Sequence, residues 1–133
     1  MREILLAHDQ LEAPWPRRHL LESVGYRVST AASSDECLAA LARSTPDLLV
    51  IDVLVEGLNG FELCRRIRAG LSPTDLPIVL GSEIYSADVF RAEASRVGAQ
   101  AYLIEPYDGD ALLAAVQDLL VARDADDGAQ AAA

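Results

Sequence analysis

Pro46-Asp47-Leu48-Leu49-Val50-Ile51-Asp52-Val53-Leu54-Val55-Glu56-Gly57-Leu58-Asn59-Gly60 is the stretch that decides how this chain folds. Leu48 to Ile51 are apolar without alternation, the pattern of a strand buried on both faces of a sheet. The run stops on Asp52, and the turn-forming Gly57, Asn59 and Gly60 follow. A buried, unpaired carboxylate is expensive. A strand that ends on one delivers it to a solvated, functional edge.

Outward from this strand, short apolar runs alternate with helical patterns. Further strands are expected at Ile4 to Ala7, Tyr26 to Thr30, Ile78 to Gly81 and Ala101 to Ile104. The first helix is expected over about Pro16 to Val24, with Pro16 in the opening turn and Gly25 as the stop. Two prolines, Pro14 and Pro16, imply that it starts late. The second covers about Ser34 to Arg43 behind the capping-box pattern Ser33-x-x-Glu36. The third spans about Gly60 to Arg68, and the fourth about Ala87 to Val97 before Gly98. The fifth begins near Asp108, where Leu112, Leu113, Val116, Leu119 and Leu120 form one apolar stripe. Strict strand-helix alternation implies α/β architecture: a parallel sheet with helices on both faces.

The 133 residues suit one domain, assigned to residues 1–122. The segment 123–133 is alanine, aspartate, glycine and glutamine without an apolar anchor, and is expected to be a disordered tail or the start of a linker. No apolar stretch approaches the roughly 20 residues of a membrane span, which predicts a cytoplasmic protein without membrane contact. The net charge is -10 and the sequence pI about 4.4, a balance that repels nucleic acid. All eleven basic residues are arginines, and lysine is absent. Cys37 and Cys64 lie far apart in helical patterns and read as packing residues rather than a disulfide or metal pair.

In a parallel sheet, ligands gather beyond the carboxyl ends of the strands. Strand one delivers His8 and Asp9 there, strand three Asp52, strand four Ser82, and strand five Glu105 followed by Pro106. Carboxylates from three strands with a hydroxyl between them suit a hard cation that takes oxygen ligands and leaves room for water and phosphate.

This arrangement resembles the receiver domain of two-component response regulators, from about Arg2 to Val121. Three pieces carry the resemblance. The first is Pro46 to Asp52 with Gly57-Leu58-Asn59-Gly60-Phe61-Glu62-Leu63. The second is Ser82, 30 residues after Asp52, and the third Gly98-Ala99-x-Ala101-Tyr102-Leu103-x-Glu105-Pro106-Tyr107. The resemblance implies a flavodoxin-like, doubly wound, five-stranded sheet of order 2-1-3-4-5 with five helices. It makes Asp52 the phosphoacceptor, supplied by a sensor histidine kinase or other signalling protein. Asp9, Asp52 and the Leu54 backbone carbonyl would hold Mg²⁺, and Ser82 and Tyr102 would form the conformational switch. It further implies a cis bond before Pro106, and partner binding or homodimerisation through the face of the fourth helix, fifth strand and fifth helix. Such a domain is not an enzyme beyond accepting its own phosphoryl group from a donor.

Several positions depart from the family pattern. His8 stands where the first acid stands, Glu56 replaces a loop proline, and Glu83 replaces the small residue after the switch hydroxyl. Gly81 removes a core side chain. Glu105 stands before Pro106 where the family carries a lysine that contacts the phosphoryl oxygens, and no lysine elsewhere can substitute. A carboxylate near 4 Å from a phosphoryl anion opposes it by about 4 kcal/mol at an effective dielectric of about 20. Two forms of the fold follow: a phosphoacceptor with an atypical, weakened or altered Mg²⁺ pocket, or a phosphorylation-independent pseudo-receiver that works as a protein-interaction module. His8 reads as a partly exposed polar residue, and Glu56 and Glu83 as solvated loop residues. Tyr102 is read equally as a packed ring or an exposed, mobile one. Phe61, Trp15 and Phe90 read as packing.

Two enzyme or cofactor classes compete. An aspartate-nucleophile phosphatase needs a second carboxylate two residues after Asp52, where Leu54 stands. A flavodoxin-type cofactor binder needs a Gly/Ser/Thr-rich loop after strand one, and Gln10 to Pro16 lacks one.

Overall fold

The computed structural model describes residues 2–8, 15–82, 88–104 and 109–132. Strands and helices alternate: β1 (Glu3–Ala7), α1 (Trp15–Ser23), β2 (Arg27–Ala31), α2 (Ser34–Arg43), β3 (Leu48–Asp52), α3 (Gly60–Arg68), β4 (Ile78–Ser82), α4 (Asp88–Arg96), β5 (Ala101–Ile104) and α5 (Gly109–Ala132). The sheet is parallel with order β2-β1-β3-β4-β5, the doubly wound order that the family resemblance implies. β3 lies at its centre. Its five residues are all buried, which is why its sequence carries no polar alternation.

The period of two along each strand divides the core. Leu5, Ala7, Leu49, Ile51, Ile78 and Leu80 face one side, where Cys37 of α2, Leu63, Cys64 and Ile67 of α3, and Ala94 of α4 cover them. Ile4, Leu6, Leu48, Val50 and Val79 face the other side, covered by Leu21 of α1 and by Leu112, Val116 and Leu120 of α5. Asp52 has the parity of Leu48 and Val50. It therefore emerges at the end of the face roofed by α1 and α5.

Local capping follows the sequence. Ser33 caps α2 by accepting the Glu36 N–H at 3.1 Å, and Glu36 reaches back to the Ala32 N–H at 2.6 Å. Asn59 caps α3 by accepting the Glu62 N–H at 3.0 Å. α1 opens at Trp15 with Pro16 in its first turn, the late start that the two prolines imply.

α5 runs further than composition predicts. Its helix carries past residue 122 to Ala132. The expectation of disorder rested on the missing apolar anchor, but the anchors here are ionic. Arg123 donates to the Asp47 carbonyl oxygen at 2.8 Å and lies 3.5 Å from its carboxylate, while Asp124 pairs with Arg2. Alanine, the strongest helix former, dominates beyond, and no proline interrupts it.

Candidate functional site

Asp52 ends β3 with 3% of its surface exposed. The strand places it opposite Gly81 of β4, which carries no side chain. The Val53 N–H donates to the Gly81 carbonyl oxygen at 2.9 Å, so the ladder continues one residue past the carboxylate and holds its Cα rigidly. Oδ1 of Asp52 accepts the Leu54 N–H at 3.1 Å. Oδ2 faces the guanidinium of Arg17, whose Nη2 lies 3.7 Å away. Both side chains are largely withdrawn from water, at 13% and 4% exposure, so the attraction is screened less than that of a surface pair.

The loop after Asp52 is clamped from α2. The Ser34 N–H donates to the Glu56 carbonyl oxygen at 2.8 Å, and Ser34 Oγ accepts the Leu58 N–H at 2.9 Å. Gly57 sits between these bonds with φ +94°. At the loop's end, the Gly60 N–H donates to the Val53 carbonyl oxygen at 2.9 Å. A Cβ on Gly60 would lie 2.7 Å from Val53 Cα, so only glycine lets α3 start this close to β3. The side chain of Glu56 is exposed, as a solvated loop residue should be.

The other expected residues divide into three groups. Ser82 is fully buried at the end of β4, one residue past the partner of Asp52. His8 corrects its expectation: it is 8% exposed rather than partly exposed, because its N–H donates to the Ala31 carbonyl oxygen at 2.9 Å and continues β1 toward the site. Tyr102 is buried, with its ring 6.1 Å from Phe61, which lies 6.3 Å from Phe90. Arg91 covers that ring at 5.8 Å and donates to the Tyr102 carbonyl oxygen at 3.1 Å. Packing thus decides the Tyr102 alternative in favour of the packed ring. Asp9, Glu83, Glu105 and Pro106 lie outside the described residues.

Among the described residues no group of three His, Cys, Asp or Glu side chains gathers into a metal cluster. Asp52 and the Leu54 carbonyl are hard oxygen donors of the kind Mg²⁺ prefers, and they fit a site completed by further oxygens. An ion held there would share the carboxylate with Arg17.

Arg17 is the site residue that sequence reasoning missed. One signal was present. Arg17 and Arg18 stand in the first turn of α1, which holds no acidic residue, although the helix dipole disfavours cations there. Arg18 is accounted for by its pair with Glu22 at 2.7 Å. One turn on from Arg17 stand the apolar Leu20 and Leu21, and its guanidinium lies beside Asp52 at the sheet edge.

Residues 4–117 match the family model of the response regulator receiver domain. The transcriptional regulatory protein AfsQ1 of Streptomyces coelicolor is 40% identical over 121 residues, which cover 90% of this chain and 52% of that protein. The response regulator MprA of Mycobacterium leprae is 35% identical over 130 residues, covering 98% of this chain and 56% of that one. The chemotaxis response regulator CheY4 of Vibrio cholerae superposes with a TM-score of 0.80 at 27% identity, over 90% of this chain and 98% of its own. The chain spans about half the length of the curated relatives it matches. With the sheet order, the carboxylate at the end of β3 and these relatives in agreement, the chain belongs to the response regulator receiver domain family of two-component systems.

Proposed function

We propose that this domain receives a phosphoryl group on Asp52 in a phosphorelay and passes the change to a partner through the α4-β5-α5 face. The observation that carries the reading is Asp52 itself. It is a carboxylate 3% exposed at the end of the central strand, with one oxygen tied to the Leu54 N–H and the other turned to a cation. A charge buried at that depth is costly to keep without use. The donor is a sensor histidine kinase or another phosphorylated signalling protein, since receiver domains interact with histidine kinases in general. Ser82 supplies the switch hydroxyl next to the acceptor, and the pocket is atypical at His8, Glu56, Glu83 and Glu105.

Asp9, Asp52 and the Leu54 carbonyl would hold Mg²⁺, as receiver domains generally do. When bound, the ion offsets charge on the phosphoryl oxygens. Asp52 provides the nucleophilic oxygen, the Leu54 N–H keeps the carboxylate oriented, and the burial around β3 limits water. No helix among the described residues is long and apolar enough to cross a membrane, which supports a cytoplasmic site of action. On the output face Val89 and Arg91 of α4 and Asp110, Ala114 and Asp118 of α5 are exposed, and these are the residues offered to a partner or a second copy. Val89 is 66% exposed, an apolar side chain suited to being covered.

Glu105 at the lysine's position supports a second reading, a pseudo-receiver that binds partners without phosphorylation. Intact mass after incubation with Mg²⁺ and acetyl phosphate separates the two. A phosphoryl mass on wild type that is absent from Asp52→Asn supports the phosphoacceptor. A phosphoryl mass on Glu105→Lys alone supports the pseudo-receiver.

A further inference from the structure

The cation that the sequence lacks at 105 is present in the fold at another place. We propose that Arg17 is the phosphoryl-binding cation of the Asp52 site, projected from α1. The proposal rests on reading Asp52 as the phosphoacceptor. Three observations carry it. First, Arg17 Nη2 lies 3.7 Å from Asp52 Oδ2, with both side chains largely buried. Second, Oδ1 accepts the Leu54 N–H at 3.1 Å while the oxygen facing Arg17 is Oδ2, so a group built on Oδ2 starts beside the guanidinium. Third, strand parity turns Asp52 to the face that α1 covers, and Leu21 of α1 packs there against Leu48 and Val50, which fixes the helix relative to the carboxylate.

The chemistry is direct. Oδ2 bonds to the phosphorus of the donor; with acetyl phosphate, the bond from phosphorus to the bridging acyl oxygen breaks, and acetate leaves with that electron pair. Nothing is oxidised or reduced. The aspartyl phosphate carries its anionic oxygens outward from Oδ2, into reach of the guanidinium. Arginine stays charged throughout and presents a planar fork of donors that matches phosphate oxygens. Before transfer the same group neutralises Asp52, so one cation serves both the resting carboxylate and the product. Lysine does the second of these in the family; here the cation comes from α1.

The test follows labelling over time by intact mass with Mg²⁺ and acetyl phosphate, for wild type, Asp52→Asn, Arg17→Gln and Arg17→Lys. Circular dichroism checks that each variant is folded. Beryllofluoride titration, read through the fluorescence of Trp15, the single tryptophan, reports phosphoryl-like anion binding independently. The expected result is label on wild type and none on Asp52→Asn. Arg17→Gln is slowed about 100-fold or more, the usual cost of removing one group that stabilises a transition-state anion. Arg17→Lys recovers part of the rate, because charge returns without the fork. Equal labelling of wild type and Arg17→Gln overturns the proposal and leaves Asp52 as acceptor. If wild type takes no label, or Asp52→Asn takes it too, the phosphoacceptor reading falls and beryllofluoride decides for Arg17. A saturable response lost in Arg17→Gln then supports it, and no response, or equal affinity in the variant, overturns it.

Discussion

Gly57→Ala tests how tightly the loop after Asp52 is held. Gly57 has φ +94°, a region where an L side chain is strained, and an added Cβ would run into Ser34 Oγ. That oxygen is buried and accepts the Leu58 N–H at 2.9 Å, so it cannot move away without leaving a donor unpaired. The backbone strain costs about 1–2 kcal/mol. Loss of the hydrogen bond adds about 1 kcal/mol, more if the N–H stays dry. A total of about 2–4 kcal/mol, read with a mid-range urea slope of about 2 kcal/mol per molar, lowers the unfolding midpoint by about 1–2 M. Gly25→Ala is the control: its φ is +102°, but nothing lies within 4 Å of the added Cβ, so it carries only the backbone part. In a Ser34→Ala background the clash is gone, and Gly57→Ala should cost no more than Gly25→Ala. A midpoint shift for Gly57→Ala equal to that of Gly25→Ala, with no coupling to Ser34, would show that the clamp does not hold the loop.

Three further outcomes are open to measurement. Arg68→Ala should destabilise the domain by about 2–3 kcal/mol in urea unfolding, because one side chain donates to the Gly98, Leu71 and Ser72 carbonyls and to Gln100 Oε1, joining α3 to the loops before β4 and β5. A shift below half a kcal/mol would mean that water replaces these bonds. Burial pushes the Cys37 thiol up to about 12 and the Cys64 thiol up to about 11, the latter against a lowering by Arg68. Neither should react with a disulfide reagent at pH 8 until the protein is unfolded. Since both folded values lie above the ordinary 9.0, the unfolded chain loses these protons first. Their contribution is complete below pH 9 and declines as pH rises toward 11 and 12, so stability should fall across that range and do so less in a Cys37→Ala, Cys64→Ala variant.

Much of the fold was legible because it is written in local patterns. Unbroken apolar runs marked the buried strands, Ser33-x-x-Glu36 marked the start of α2, and the stripe from Leu112 to Leu120 marked the buried face of α5. Asp52 stood out for the same reason, a charge at the end of such a run. His8 was harder to read, since its burial depends on the β1 ladder continuing past Ala7 to Ala31 rather than on its neighbours in sequence. The end of α5 was misjudged because Arg123 is held by Asp47, 76 residues earlier, through contacts that composition does not encode.

The amino-acid sequence by itself determined the parallel α/β architecture, the acidic strand ends and the absence of lysine, since each follows from residue type and short-range period. Only the tertiary structure decided which cation meets Asp52. Arg17 and Asp52 are 35 positions apart on different elements, and they meet because strand parity points the carboxylate to the face where packing of Leu21 seats α1. Charges are paired by distance in space, and in this chain that distance is set by the apolar core beneath them.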